Sequence, residues 1–296
     1  TWTALYDFPG TSREHAVSFS NDTIGYVGGG EYLSSDLHDF WQYDRASDNW
    51  IEMPDFTGGY RSYMCGFAIG SKIYSGTGHN NTTGFDYADF WSCDAAPVSR
   101  WVRQDSLPST PRELATGFVI GNEAYIGTGY KGYVTTNLML DDFWKWNETT
   151  NTWTQLASFS GGKRDNAISC SIGNKGYLGF GRDENGIWKN DWWEYDPANN
   201  SWTQKNDFSG GPQLVPLAFS IGSKGYMYEG GYDDEFWEYD PVADSWTAKS
   251  PFPMGIRPGM CSFVIGTKAY LYGGRDQAGY YSELWEWDQN SDTWTR

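Results

Sequence analysis

The chain has 296 residues, with 38 Asp and Glu against 21 Lys and Arg, a formal net charge of −17. Phosphate polymers are held by Lys and Arg, so this balance argues against nucleic acid as a partner, and against an anionic membrane surface for the same reason. No run of 18 apolar residues occurs, so no membrane insertion through a helix is expected.

The chain opens on Thr1-Trp2-Thr3, and that Trp begins a series: Trp2, Trp50, Trp101, Trp153, Trp202, Trp246 and Trp294. Eleven residues after each of the first six stands Arg13, Arg61, Arg112, Arg164, Gln213 or Arg257. Thirteen residues further on stands Tyr26, Tyr74, Tyr125, Tyr177, Tyr226 or Tyr270, and only the run from this Tyr to the next Trp varies in length. Self-similarity at this period predicts one domain over 1–296, built of six repeats of about 44–52 residues.

Each repeat reads as four strands in order. The first follows the Arg (MCGFAIG at 64–70, ATGFVIG at 115–121, MCSFVIG at 260–266), and the second is aromatic and ends in glycines (YVGGG at 26–30, YIGTG at 125–129, YLYGG at 270–274). The third and fourth form a hairpin, spelled DEFWEYDPVADSWT at 234–247, with alternating apolar residues on either side of an Asp-containing turn. The expected fold is all-β: a six-bladed β-propeller of four-stranded antiparallel blades. The four cysteines Cys65, Cys93, Cys170 and Cys261 fall on core positions of strands and read as free thiols.

The glycine pair, the Tyr-Asp-Pro and the Trp some seven residues on resemble a kelch repeat, and the DFWEYDP spelling resembles kelch-like arrays common in exported proteins of Bacteroidetes-type bacteria. The resemblance covers Trp2 to Trp294, with two departures: Gln213 replaces the Arg of the fifth repeat, and repeats two to four lose the strict Gly-Gly pair. It implies the kelch-type propeller and an exported or cell-surface location. Function is less defined by it, because kelch propellers include galactose oxidase, sialic acid mutarotases, plant specifier proteins and many non-catalytic binding domains. No residue set here matches the copper site of galactose oxidase.

Up-and-down connectivity puts the second-to-third and fourth-to-first loops on one face. The second-to-third loops differ in every repeat (31–39, 79–89, 130–142, 182–191, 232–235 and 275–283), and variable loops on a rigid scaffold are where binding usually lies. Trp188 falls outside the repeat pattern and reads either as a binding anchor or as a lid over its own blade. Other off-pattern aromatics on this face are Tyr32, Phe85, Tyr87, Tyr130, Tyr133, Tyr232, Tyr280 and Tyr281; with Arg182 and Arg275 they suit a glycan or protein ligand. The same face carries a ring of Arg13, Arg61, Arg112, Arg164 and Arg257, and a ring of acids, Asp39, Asp89, Asp142, Asp191, Glu235 and Glu283. These rings read as a charged funnel or as ion pairs that hold blade to blade; their once-per-repeat occurrence favours the pairs.

Catalysis has little support in the sequence. His15, His38 and His79 show no metal-ligand spacing, and no Ser or Cys nucleophile motif occurs. No catalytic residue, metal or cofactor is expected. The reading is a non-catalytic binding module for a glycan or a partner protein, with a mutarotase-like enzyme acting at the central funnel as the alternative. Three features of the ring are expected: third-strand Trp residues such as Trp144 and Trp237 buried between blades, the Trp294 segment closing the last blade, and residues 1–5 displaced to its edge. A surplus strand also suggests a larger parent protein or assembly.

Overall fold

The computed structural model describes residues 5–95, 98–133, 136–230 and 234–296, apart from the side chains of 133, 136 and 137. Trp2, Tyr232, Asp233 and the Tyr133 side chain therefore lie outside the described residues. Six four-stranded antiparallel sheets follow one another along the chain. Blade one is Val17–Ser20, Ile24–Gly28, Phe40–Asp44 and Asn49–Met53; blade six is Met260–Ile265, Lys268–Gly273, Leu284–Asp288 and Thr293–Thr295. The first strands of blades one to six neighbour one another in sequence, and that of blade six returns to that of blade one. Ser18 Oγ donates to the carbonyl of Ser262 at 2.8 Å and Val264 N donates to Ser20 Oγ at 3.1 Å across this last junction. Among the described residues no helix is long and apolar enough to cross a membrane.

The hairpin spelling has a local cause. Asp48, Asn151, Asn200, Asp244 and Asp292 sit at φ between 48 and 53°, a left-handed turn conformation that Asp and Asn tolerate. Their side chains then accept from the aromatic that closes the third strand: Tyr43 Oη to Asp48 at 2.7 Å, Tyr239 Oη to Asp244 at 2.8 Å, Trp287 Nε1 to Asp292 at 3.0 Å. The same carboxylates take the backbone N–H of the linker into that blade, as Asp48 does from Tyr6 and Asp292 from Ser250. One turn residue thus fixes a turn, a strand end and an inter-blade linker.

Between blades the packing is aromatic edge on aromatic face. Phe40, Phe90, Phe143 and Phe236 meet the fourth-strand Trp101, Trp153, Trp202 and Trp294 of the next blade at ring separations of 4.8, 5.2, 5.0 and 5.4 Å. Such pairs contribute ~0.5–1.5 kcal/mol each beyond the area they bury. The indole N–H of Trp50, Trp101, Trp153, Trp202 and Trp294 is satisfied by a linker carbonyl, for instance Trp101 by Pro54 at 3.0 Å. All four cysteines are buried and free.

Two expectations need correction. The second residue of each FW pair is half-buried, including Trp144 and Trp237, and in blades one to five its indole reaches the acid at the loop end of the blade; the fully buried residue is its neighbour (Phe143, Phe236). Among the described residues, four of the second-to-third loops carry small hairpins, Glu31–Tyr32 with Ser35–Asp36, His79–Asn80 with Phe85–Asp86, Tyr130–Tyr133 with Thr136–Met139, and Arg275–Asp276 with Gly279–Tyr280. The Trp294 segment does take the fourth-strand place, with Trp287 opposite Trp294. Leu5, however, is not displaced; it is 8% exposed in a cluster with Phe8, Tyr43, Trp50 and Cys261. It belongs to the linker into blade one, and Phe8 N donates to the carbonyl of Ser282 at 3.0 Å just as Phe56 N donates to that of His38 at 2.7 Å.

Candidate functional site

The loop face is built on the arginine positions. In four blades the guanidinium forks onto the acid before the third strand: Arg13 on Asp39 at 2.7 and 2.6 Å, Arg61 on Asp89 at 2.6 and 3.2 Å, Arg112 on Asp142 at 2.6 and 2.8 Å, Arg164 on Asp191 at 2.9 and 2.7 Å. Arg257 makes one such bond to Glu283 at 2.5 Å. Nη1 also donates to the carbonyl sixteen residues on, at Gly29, Thr77, Thr128 and Phe180. The Trp of the FW pair adds its indole N–H to the same carboxylate, Trp144 to Asp142 at 2.7 Å. Burial by itself would raise the Asp39 and Asp142 carboxyls, but the arginine hydrogen bonds and charges more than reverse it and hold both below the usual carboxylate range. The arginine side chains are 0–2% exposed. Arg13, Arg61, Arg112, Arg164 and Arg257 therefore line no open funnel: each pair closes within its own blade. Blade-to-blade contact comes from the backbone, as when Gly30 N donates to the Arg61 carbonyl at 3.1 Å and Arg61 N to that of Leu37 at 3.1 Å.

The aromatics singled out from the sequence divide into two sets. Tyr87 and Tyr281 are half-buried and lie flat over Arg61 and Arg257, each 3.7 Å from guanidinium carbon to ring centre, which gives them a framework task. Trp188 is the cross-strand neighbour of Arg182, half-buried, with that guanidinium 5.9 Å over its ring; Arg182 itself pairs with buried Asp165 at 2.6 Å. Tyr32 and Tyr280 pack edge-on at 4.9 Å across the seam between blades one and six, and Arg275 reaches Glu14 at 2.9 Å beside them. Phe85, 53% exposed, and Tyr32, 37% exposed, are the most open of the set, and Tyr130 stands half-buried opposite Glu113.

Inside this rim the axis opens. Its mouth is ringed by the residue two after each arginine position: His15, Tyr63, Leu114, Asn166 and Val215 at φ 53–55° and Gly259 at 74°. At two of these positions the costly left-handed backbone turns the N–H to the previous blade: Tyr63 N donates to His15 O at 3.1 Å and His15 N to Gly259 O at 3.2 Å. Below the mouth the wall is made of small uncharged residues, Ser18, Gly66, Gly117, Ser169, Ala218 and Ser262.

Around the mouth lies a network that sequence spacing does not reveal. His15 Nδ1 is 2.9 Å from Glu31, which also accepts from Tyr63 and Asn81, and the His15 bond holds the Glu31 carboxyl below its usual range. His79 Nδ1 is 2.7 Å from Asp86, whose hydrogen bond raises the imidazole pKa. Glu113 faces this pair, and burial pushes its carboxyl up to about 7. Two groups, Glu14 with His15 and Glu31, and His79 with Asp86 and Glu113, each bring three metal-ligating atoms within 4.8 Å of one another. The sequence reading found no metal spacing because Glu113 comes from the start of blade three and His79 from a hairpin of blade two; only ring packing joins them.

No protein-family model matches the chain. Over 87 residues, 25% of the chain, it is 32% identical to Kelch repeat and BTB domain-containing protein 8 of Rattus norvegicus, and equally to the proteins of that name in Mus musculus and Homo sapiens. The match covers 14–15% of those relatives' own length.

Proposed function

We propose that this six-bladed propeller, whose fold and local kelch-repeat similarity fit a kelch-repeat propeller, works as a non-catalytic interaction module that binds a partner protein through its loop face. One observation carries this reading: six second-to-third connections of different length and composition stand on the same face of a scaffold whose strand order and framework spacing repeat. Exposed apolar side chains stand on three of these loops, Leu33 at 66%, Phe85 at 53% and Ile187 at 54%, and the loops also carry the charges of Arg182, Glu184 and Arg275. Apolar anchors among polar neighbours on pre-formed hairpins suit a protein interface.

A glycan ligand would use the same aromatics and is tested in parallel. The mutarotase-like alternative needs arginines and carboxylates converging on the axis; the arginines that suggested it are committed to buried ion pairs, Glu31 and Asp86 at the mouth are bonded to His15 and His79, and the wall below the mouth is uncharged.

The test substitutes Phe85→Ala and Ile187→Ser on the loop face and Val242→Ser in the turn at the opposite end of blade five. Each surface change should alter stability by no more than ~0.5 kcal/mol. Partner capture by crosslinking and mass spectrometry, run with a glycan array, should lose its signal in the loop-face variants alone. Binding lost only in the turn variant would overturn the assignment of the face, and signal confined to the glycan array would replace protein by sugar.

A further inference from the structure

Blade five departs from its siblings at the arginine position, where Gln213 stands in place of Arg, and sixteen residues on, where Glu229 stands in place of Gly, Thr or Phe. In blades two to four the place filled by the guanidinium is built from four groups. They are the acid before the third strand, the indole on that acid, the carbonyl sixteen residues after the Arg, and a group three residues before it. The last of these is the Gly58 carbonyl for Arg61, Ser109 Oγ at 2.6 Å for Arg112 and the Gly161 carbonyl at 2.5 Å for Arg164.

Blade five keeps all four. Glu235 is the acid and accepts the indole N–H of Trp237 at 2.9 Å, Glu229 is sixteen residues after Gln213, and Gly210 is three before it. These same residues line a cavity of about 360 Å³. Its floor is buried, with Gln213 and Glu229 each 3% exposed, while Gly210 on its rim is exposed, unlike its half-buried counterparts Gly10, Gly58 and Gly161. Gln213 Oε1 is buried and without a hydrogen-bond partner. Glu235 forms no ion pair among the described residues, and no lining residue is basic.

We propose that this cavity is a binding pocket for a guanidinium group supplied from outside the blade. Two carboxylates and an unsatisfied amide oxygen line a pocket whose copies in this chain already hold that group. The class is guanidinium rather than ammonium for a geometric reason. A planar fork donates to both oxygens of one carboxylate and to flanking carbonyls at once, whereas an ammonium is a compact point charge that keeps its water more tightly. The group belongs either to an arginine side chain of a polypeptide or to a small guanidine, and the chemistry is the same for both. The pocket stands on the repeat geometry, so its test is independent of which ligand the hairpins bind.

The experiment titrates the whole chain with agmatine and, separately, with cadaverine, which carries an ammonium in place of the guanidinium, by calorimetry. Wild type should bind agmatine saturably and at least tenfold more tightly than cadaverine. Gln213→Arg places the missing guanidinium in cis; it should abolish agmatine binding and raise the melting temperature. Glu235→Gln, which removes the anchoring charge and keeps the side-chain size, should weaken agmatine binding at least tenfold, and it decides the matter if the arginine variant does not fold. A Gly-Arg-Gly peptide binding more tightly than agmatine assigns the source to a polypeptide; weaker binding assigns it to a small guanidine. Agmatine binding that is equal in wild type, Gln213→Arg and Glu235→Gln, or matched by cadaverine, would overturn the proposal.

Discussion

Arg112 joins three things at once: the Asp142 carboxylate, the Thr128 carbonyl and, through its backbone, blade two. Removing it leaves a buried carboxylate without its partner, so Arg112→Ala should cost ~3–5 kcal/mol at pH 7 by urea denaturation. The folded pKa of Asp142 lies below its unfolded value, so this stabilisation is present above that unfolded value and is lost as pH falls through the folded one. The deficit of the variant should therefore shrink in acid; a deficit constant from pH 7 to pH 3 would contradict the pair. Glu113 shows the opposite sign. Its carboxyl rises from 4.5 to about 7 on folding, so the folded state holds the proton more tightly and stability falls as pH rises through that window. The raised His79 pKa acts in the same direction. Wild type should melt lower at pH 8 than at pH 5.5, and Glu113→Gln should flatten that slope; a variant with the wild-type slope would remove Glu113 from the account. In the sequence Arg112 recurs in five of the six repeats, whereas the acid one place on recurs in three, as Glu14, Glu113 and Asp165.

At the level of the strand, the FW pair divides its labour. Phe236 is fully buried and meets Trp287 and Trp294 of blade six at 4.7 and 5.4 Å, whereas Trp237 is half-buried and spends its indole N–H on Glu235. Phe236→Ala should cost ~3–5 kcal/mol and Trp237→Ala clearly less, measured by thermal melts of the two variants side by side. Equal losses would mean that the second position carries as much packing as the first. The spelling FW predicts two aromatic positions but not which is inside, because both faces of a propeller blade are covered by neighbours and the usual apolar-polar alternation is blurred. The hairpins above the second-to-third connections escaped the sequence reading for a related reason. Their strands are two to four residues long, their partners lie within ten residues, and no buried face imposes a pattern on them.

Over the whole molecule, stability depends on how blade six is held between blades five and one. The Thr293–Thr295 strand supplies Trp294 to a cluster with Phe236 and Phe252, and the linker through Phe8 docks on blade six from the other side, 3% exposed against Trp41, Trp50 and Tyr272. Deleting 290–296 should lower the melting temperature more than deleting 1–4, because it removes a paired strand and a buried Trp contact together. The reverse order would assign the closing strand to the Trp2 segment. What the sequence determined by itself was everything that recurs: the number of blades, the order of strands in each, the turn Asp or Asn, and the pairing of periodic Arg with periodic acid. These are set by local backbone preference and by contacts that repeat at a fixed spacing, so six copies make them legible. What only the tertiary structure decided is what occurs once. It buried the arginines, brought His79 and Asp86 to Glu113 across two blades, laid Tyr87 and Tyr281 on guanidinium groups, and left the Gln213 position of blade five as a cavity instead of a filled seat. Those contacts join residues from different loops through closure of the ring, and a single chain carries no periodic signal of which loops will meet.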